Sequence, residues 1–178
     1  MIFYKNSNLV IRLMKKEDAQ AFTKAFAFQK WHKPISQFLK YFSEQENDER
    51  KVIVAEVCDE VAGYATLVHD AHNGPFANQG IPEICDFNVL IKYQKQGIGN
   101  KIMDIVEQIA SENSNCVSLG VGLHSGYGSA QRMYVKRGYI PDGSGVWYDD
   151  RQLEQGEECK NDDSLFLRMI KYFSILSE

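Results

Sequence analysis

Residues 94–99, Gln-Lys-Gln-Gly-Ile-Gly, form a short glycine-bearing turn between two apolar segments. Residues 84–91 before it are an apolar run typical of a buried strand, and the isoleucines and valine after it recur at helical spacings of three and four. The first N–H groups of a helix have no carbonyl partner within the helix, and the helix dipole favours negative charge there. This turn is therefore a candidate binding site for a phosphate-bearing ligand.

Two carboxylates precede the turn on the predicted strand. Glu83 stands at the start of the apolar run, and Asp86 lies inside it. A charged side chain is rarely buried without a partner, so we expect Asp86 to have one. Asp86 is therefore a candidate general base, a candidate anchor for a substrate ammonium group, or a member of a structural ion pair. Alternation along a strand places Asp86 on the face opposite to Glu83, so we do not expect both carboxylates to act on one water.

The elements that position these residues follow from hydrophobic patterning. Residues 9–13 predict a strand, Glu17 and Asp18 open a first helix, and Pro34 starts a second helix. Residues 52–57 and 61–68 are β-rich runs separated by three residues, a spacing that predicts an antiparallel hairpin.

Further strands and one more helix follow the helix after the glycine turn. Residues 117–123 alternate apolar side chains with Ser118, Gly120 and Gly122, so one face of that strand is thin and open to close approach. A helix containing Tyr134 comes next, followed by strands at residues 146–148 and 165–173. The order predicts one mixed α/β domain with helices on both faces of its sheet.

Composition limits the classes of partner. The chain has 178 residues and a formal net charge of −4, which argues against nucleic acid as its main partner. No run approaches the roughly 20 apolar residues of a membrane span, and the N-terminus lacks a signal-peptide pattern. The four cysteines form no C-x-x-C pair, so we expect reduced, largely buried thiols in a cytoplasmic protein without a metal site, with a disulfide pair as the less favoured alternative.

The glycine turn resembles the Q/R-x-x-G-x-G/A signature of the GNAT superfamily of acyl-CoA N-acyltransferases. Residues 130–139, AQRMYVKRGY, look like the A-x-x-L-Y-x-x-x-G-F/Y helix of that family, one strand and one helix downstream. Rival phosphate motifs fit less well, because the chain has no G-x-x-x-x-G-K-S/T and carries Ile102 where a dinucleotide motif needs its third glycine.

The resemblance extends over nearly the whole element order. It implies a single GNAT-like domain over residues 1–178, of the α/β (α+β) class, with a mixed and largely antiparallel sheet. It also implies acetyl-CoA as cosubstrate, with its pyrophosphate on the backbone N–H groups of residues 94–99 and its pantetheine arm beside the preceding strand. Strand 117–123 would diverge from that preceding strand and leave a gap for the pantetheine arm. The implied donor-binding residues are Val89, Leu90, Ile91, Gln94, Lys95, Gln96, Gly97, Ile98, Gly99 and Ser129.

The resemblance implies catalytic roles as well. Tyr134 matches the tyrosine that protonates the departing CoA thiolate, and a phenol with a pKa near 10 is protonated at neutral pH. Glu83 stands fourteen positions before Gly97, where histone-type members carry a catalytic glutamate, although Asp86 or a water chain could serve as the base. Tyr127 replaces an asparagine common in relatives, which leaves open whether Ser125 or Ser129 contacts the thioester.

The implied function is transfer of an acetyl group from acetyl-CoA to a primary amine by direct attack. The alternative is a non-catalytic module that senses acyl-CoA. A small molecule or a peptide could supply the acceptor amine, and the sequence does not choose between them. Nucleic acid and membrane are not expected partners, and a homodimer is compatible with the sequence.

Overall fold

The structure is a computed structural model that describes residues 1–173. Within that range it contains four helices: α1 (Asp18–Phe28), α2 (Ile35–Glu46), α3 (Ile98–Ser111) and α4 (Gly128–Lys136). It also contains nine strands: β1 (Ile2–Lys5), β2 (Leu9–Leu13), β3 (Arg50–Val57), β4 (Glu60–Val68), β5 (Glu83–Val89), β6 (Cys116–Gly122), β7 (Ile140–Tyr148), β8 (Arg151–Gln152) and β9 (Leu165–Tyr172). The predicted mixed α/β fold with a largely antiparallel sheet is confirmed.

The described chain forms two compact units. The first comprises residues 1–68 and 85–109, and the second comprises residues 69–84 and those from 110 onward. The expectation of one domain over residues 1–178 stays a prediction, and residues 174–178 lie outside the described range.

The first unit has the strand order β1-β2-β3-β4-β5. Strands β1 to β4 pair antiparallel, and β3 and β4 form the predicted hairpin. Its turn consists of two residues, Cys58 with φ 49° and Asp59 with φ 64°. Positive φ at both central residues suits the twist of a two-residue hairpin. Glu60, predicted to belong to the turn, is instead the first residue of β4.

An aromatic cluster fills the core of the first unit. Phe22 and Phe26 on α1 and Phe38 on α2 pack against Tyr64 on β4, and all four are buried. The Phe22 and Tyr64 rings meet edge to face with centroids 4.9 Å apart, and Phe38 meets Tyr64 in the same way at 5.4 Å. Such pairs add to the stabilisation from burial, so the two helices are fixed on β4 at the level of Tyr64.

The second unit has the strand order β5-β6-β9-β7-β8 and contains the first two residues of β5. Those two residues, Glu83 and Ile84, pair in parallel with β6, whereas β9 is antiparallel to both β6 and β7. Strand β7 begins at Ile140, earlier than predicted. Its register shifts between Pro141 and Val146, around two glycines with positive φ.

The thin face of β6 is covered by the chain itself. A Cβ added to Gly122 would overlap the ring of Tyr127, and one added to Gly120 would lie 3.5 Å from the ring of Phe166. The close approach predicted for this strand is therefore made, at Gly122, by a side chain of the same unit.

The cysteines are free, but their burial differs from the expectation. Cys116 is buried and Cys85 is partly buried, whereas Cys58 and Cys159 are exposed. The prediction of largely buried thiols is wrong for the last two, because they lie in a hairpin turn and a polar loop. Among residues 1–173, no helix has both the length and the apolar character needed to cross a membrane.

Candidate active site

The glycine turn connects the end of β5 to the start of α3. A short 3-10 turn at Ile91–Tyr93 follows β5, and residues 94–97 are exposed. Lys95 has φ 60° and Gly97 has φ 81°, so left-handed residues alternate with right-handed or extended ones. Successive N–H groups in such a turn form a concave site for an anion. The unpaired N–H groups at the start of α3 add to it.

The two glycines of the turn have different structural roles. A Cβ on Gly97 would meet nothing within 4 Å, so Gly97 is required for its positive φ. A Cβ on Gly99 would lie 3.2 Å from Cζ of Phe87 and 3.5 Å from Cγ2 of Val89. Gly99 therefore lets the first turn of α3 pack closely on β5.

Strand β4 approaches the end of β5 closely because of a third glycine. A Cβ on Gly63 would lie 2.7 Å from the carbonyl oxygen of Asn88 and 3.1 Å from Cα of Val89. Next to it, the N–H of Leu90 donates to the carbonyl of Ala62 at 2.9 Å. This contact holds the predicted donor-binding strand at a fixed distance from β4.

Side-chain amides occupy the exposed backbone groups at the end of β5. Gln29 Oε1 accepts from the N–H of Ile91 at 3.1 Å, and Gln94 Nε2 donates to the carbonyl of Val89 at 3.0 Å. The Nε2 atom of Gln29 is buried and has no hydrogen-bond partner within the described residues. The backbone N–H of Ile91 is thus available to another strand-like partner only when the Gln29 amide moves away.

Asp86 lies at the centre of a polar cluster in the first unit. Its Oδ1 accepts from Lys33 Nζ at 2.7 Å and from Asn88 Nδ2 at 2.8 Å. Its Oδ2 accepts from Gln37 Nε2 at 2.8 Å, Tyr41 OH at 3.0 Å and Tyr64 OH at 2.6 Å. We call these six residues the Asp86 cluster. A carboxylate offers about four lone-pair sites, so this one is fully engaged as an acceptor.

Electrostatics keep the two tyrosines of the cluster protonated. Burial, together with the negative charge of Asp86, raises the pKa of Tyr64 and of Tyr41 above the usual value for a phenol. Both hydroxyls therefore act as donors to Asp86. Asp86 has φ 40°, which interrupts the regular alternation from which we placed it opposite to Glu83, so that placement stays a prediction.

Glu83 lies in the second unit and pairs with a buried arginine. Arg168 on β9 donates from Nη1 to Glu83 and from Nη2 to Asp150 Oδ1 at 3.1 Å. Gly74 approaches the same guanidinium closely, since a Cβ there would be 2.8 Å from Arg168 Nε. Burial raises the pKa of Glu83 and Asp150 adds to the rise, although Arg168 opposes it.

Tyr134 is buried on α4 in the second unit, with its ring centroid 5.7 Å from that of Tyr139. Burial raises its pKa above the usual value for a phenol, and Tyr127 contributes to the rise. The hydroxyl is therefore protonated at neutral pH, as a proton donor must be. Ser129 lies in the first turn of the same helix and is exposed.

His124 is held by polar contacts beside α4. Its Nδ1 accepts from the N–H of Gly126 at 3.1 Å, and its Nε2 lies 2.9 Å from Asp163 Oδ1. The hydroxyl of Tyr127 donates to the same carboxylate oxygen at 3.1 Å. With both ring nitrogens engaged, His124 has a structural role in the β6–α4 connection.

The structure places Asp86 and the predicted residues 89–99 in the first unit, and Glu83, Ser129 and Tyr134 in the second. Sequence reasoning missed Arg168 and Lys33. Arg168 is a charged residue within the apolar strand β9. A charged residue in an apolar run is the same signal that identified Asp86, so Arg168 could have been found in the same way. Lys33 carries no such signal, because it lies in a polar connection between two helices.

A cavity of 510 Å³ lies elsewhere in the first unit, beside β1 and β2. Arg12, Gln45 and Glu56 are among the residues that line it, and none of the predicted site residues does. Across residues 1–173, no group of three or more His, Cys, Asp or Glu side chains is arranged to hold a metal ion.

In a comparison with known families, residues 13–149 match the acetyltransferase (GNAT) domain. Among curated proteins, none matches the sequence.

Similar folds occur among solved structures. A ribosomal-protein-alanine N-acetyltransferase from Brucella melitensis superposes with a TM-score of 0.66 at 17% identity, covering 92% of this chain and 99% of that one. The protein yncA from Salmonella typhimurium, solved with its cofactor acetyl-CoA, gives 0.69 at 16% identity, with 97% and 98% covered. A spermidine N-acetyltransferase SpeG chimera from Vibrio cholerae and hSSAT gives 0.66 at 12% identity, with 93% and 96% covered. At these identities the similarity establishes the fold alone.

Proposed function

Because the chain belongs to the GNAT acetyltransferase family, we propose that it moves an acetyl group from acetyl-CoA to a primary amine. The observation that carries the proposal is the exposed turn at residues 94–97, with positive φ at Lys95 and Gly97, directly before α3. Such a turn suits a pyrophosphate, and the yncA relative was solved with acetyl-CoA.

Most of the proposed donor contacts come from residues 89–99. The N–H groups of residues 94–99 would bind the pyrophosphate, and Val89, Leu90 and Ile91 would lie beside the pantetheine arm. The backbone N–H of Ile91 now donates to Gln29 Oε1 at 3.1 Å. To bind there, acetyl-CoA would have to replace Gln29 Oε1 as the hydrogen-bond acceptor. Ser129 is proposed to contact the donor from the first turn of α4.

The reaction needs one proton removed and one supplied. We assign removal of the proton from the acceptor ammonium to Glu83, directly or through water, because its raised pKa makes it a better base than an exposed glutamate. The amine nitrogen then bonds to the thioester carbonyl carbon, and the carbon–sulfur bond breaks. Tyr134 donates its proton to the departing thiolate, so no covalent enzyme intermediate is required.

Asp86 is the second candidate for the base. It already accepts five hydrogen bonds, and one of the donors is the ammonium of Lys33. Taking up a proton would cost at least one of those bonds. We therefore assign Asp86 to binding and Glu83 to proton removal.

The acceptor is proposed to be a small-molecule or peptide amine. Relatives are named for a ribosomal-protein alanine and for spermidine, which are both amine acceptors. We propose that the whole chain works as one N-acetyltransferase domain in the cytoplasm, without a metal and without nucleic acid or membrane as partner.

The experiment is thiol release from acetyl-CoA over a panel of primary amines, preceded by calorimetry with acetyl-CoA alone. We expect saturable binding of acetyl-CoA and amine-dependent release of thiol. Tight binding without release for any amine would instead favour a module that senses acyl-CoA. Tighter binding of ATP than of acetyl-CoA would overturn the donor assignment.

A further inference from the structure

The ammonium group of Lys33 occupies a site built to hold a cation. Its Nζ lies 2.7 Å from Asp86 Oδ1, 5.5 Å from the centroid of the Phe26 ring and 5.7 Å from that of Tyr64. A carboxylate combined with aromatic faces within about 6 Å is the set of groups that recognises an alkylammonium ion. The ammonium of Lys33 therefore lies among the same groups that would surround a bound alkylammonium ion.

Lys33 differs from its neighbours in how it is held. The other members of the Asp86 cluster lie on regular elements: Gln37 and Tyr41 on α2, Tyr64 on β4 and Asn88 on β5. Lys33 lies in the connection between α1 and α2, and 19% of its side chain is exposed. It can therefore leave the cluster without disturbing a helix or a strand.

The charge balance of the cluster favours a replacement cation. Lys33 supplies the positive charge opposite Asp86, whereas the amide groups of Gln37 and Asn88 and the two phenols are neutral donors. Removal of Lys33 would leave four hydrogen bonds to a carboxylate whose charge is no longer balanced. A buried charge without a partner is unfavourable, so an incoming ammonium would be bound in place of Lys33.

We propose that Asp86, together with the rings of Phe26 and Tyr64, is the subsite that binds the alkylammonium group of the acceptor, and that Lys33 is a tethered occupant which the acceptor displaces. The proposal deepens the proposed function and rests on it, since it names the class of acceptor: an aliphatic amine that carries an alkylammonium group besides the amine that Glu83 deprotonates. Lys33 then acts as an internal competitor that sets the acceptor concentration needed for binding.

The probe follows from the geometry. The n-butylammonium ion is the side chain of Lys33 without its backbone, so it fits the space that Lys33 vacates. In Lys33→Met the stem remains in part but the charge is lost, and in Lys33→Ala the space is emptied. Short tethers give effective concentrations on the order of millimolar or more. We therefore expect calorimetry without acetyl-CoA to show n-butylammonium binding about tenfold or more tighter to these variants than to the wild type.

Three controls make the test specific. Lys24→Met removes an exposed lysine of α1 and should bind n-butylammonium as the wild type does. Adding Asp86→Asn to Lys33→Met should abolish the gain in affinity. Butan-1-ol, which has the same chain without the charge, should bind no more tightly to Lys33→Met than to the wild type.

Equal affinity for n-butylammonium in the wild type and in both Lys33 variants would overturn the proposal, as would a gain that survives Asp86→Asn. Because binding is measured without acetyl-CoA, this outcome is separate from thiol release. Amine-dependent thiol release without tighter n-butylammonium binding in the Lys33 variants would support the proposed function and contradict the subsite. Tighter n-butylammonium binding in the Lys33 variants without thiol release would support the cation site and contradict acetyl transfer.

Discussion

Arg168 donates to the carboxylate of Glu83 from Nη1, one of its two terminal guanidinium nitrogens. Only 6% of the Arg168 side chain and 12% of the Glu83 side chain are exposed. Removing one partner of such a pair leaves the other charge uncompensated. The pair also fixes the position of Glu83, because Arg168 is itself held by Asp150.

Glu83→Gln should lower kcat/KM by on the order of a hundredfold if Glu83 removes the acceptor's proton. A general base must be ionised, so the rate of the wild type should fall as pH drops through the raised pKa of Glu83. That acid limb should lie at higher pH than for an exposed glutamate. In Glu83→Gln it should be missing, and only the titration of the acceptor amine itself should remain. The measurement is the pH dependence of kcat/KM.

Asp150→Asn provides the matched control, since it removes a negative neighbour that raises the pKa of Glu83. The acid limb should move to lower pH while the base is retained. If the limb is unchanged in both variants but disappears in Asp86→Asn, the base is Asp86.

Tyr134→Phe should reduce kcat by on the order of a hundredfold and leave the Kd for acetyl-CoA unchanged, because the raised pKa of Tyr134 keeps its hydroxyl protonated as a proton donor. Single-turnover kinetics and calorimetry measure the two quantities. Tyr139→Phe removes a hydroxyl from the ring packed on Tyr134 and should retain turnover. Wild-type turnover in Tyr134→Phe would remove Tyr134 from the role of acid.

Gly97→Ala should weaken acetyl-CoA binding, because alanine at φ 81° is strained by about 1–2 kcal/mol and the turn would relax to another shape. Calorimetry with acetyl-CoA and thermal unfolding should be measured together. Gly143→Ala, at φ 90° in β7 and also in open space, carries the same kind of strain. It should lower stability comparably without changing the affinity for acetyl-CoA, and an equal loss of affinity would argue against a specific role of the turn.

Gly63→Ala should destabilise the fold by about 1–3 kcal/mol, because its Cβ would be 2.7 Å from the carbonyl oxygen of Asn88 and would force β4 and β5 apart. Urea unfolding measures the effect. Gly120→Ala has its closest contact at 3.5 Å and should change stability much less. Glycine is less favourable than alanine within a strand, so a loss in Gly63→Ala no larger than in Gly120→Ala would contradict a steric role of the contact between β4 and β5.

The elements with a strong hydrophobic period were predictable from the sequence. The β3–β4 hairpin followed from two β-rich runs around a short polar turn, and α3 followed from its regular isoleucines. Strand β8 was missed because it has two exposed residues and no apolar pattern. Strand β1 was missed because four residues are too few to separate a strand from an irregular N-terminus.

The candidate site was predictable only where its residues are close in sequence. The glycine turn is one continuous segment, so its anion-binding geometry could be expected from glycines before a helix. Four of the five partners of Asp86 come from residues 22 to 53 positions earlier, and folding brings them together. A charge in an apolar run predicts that partners exist, but spacing does not tell which side chains they are.

One ring contact in the first unit has a spectroscopic consequence. Trp31 stacks on Phe26 with centroids 6.0 Å apart and ring planes 12° apart, and the ammonium of Lys33 lies 5.5 Å from the centroid of the same Phe26 ring. Indole emission responds to nearby charge, so departure of that ammonium from Asp86 changes the electric field at the tryptophan. In a Trp147→Phe background, Trp31 is the remaining tryptophan. Its fluorescence would then report whether the carboxylate of Asp86 is paired with Lys33 or with another cation.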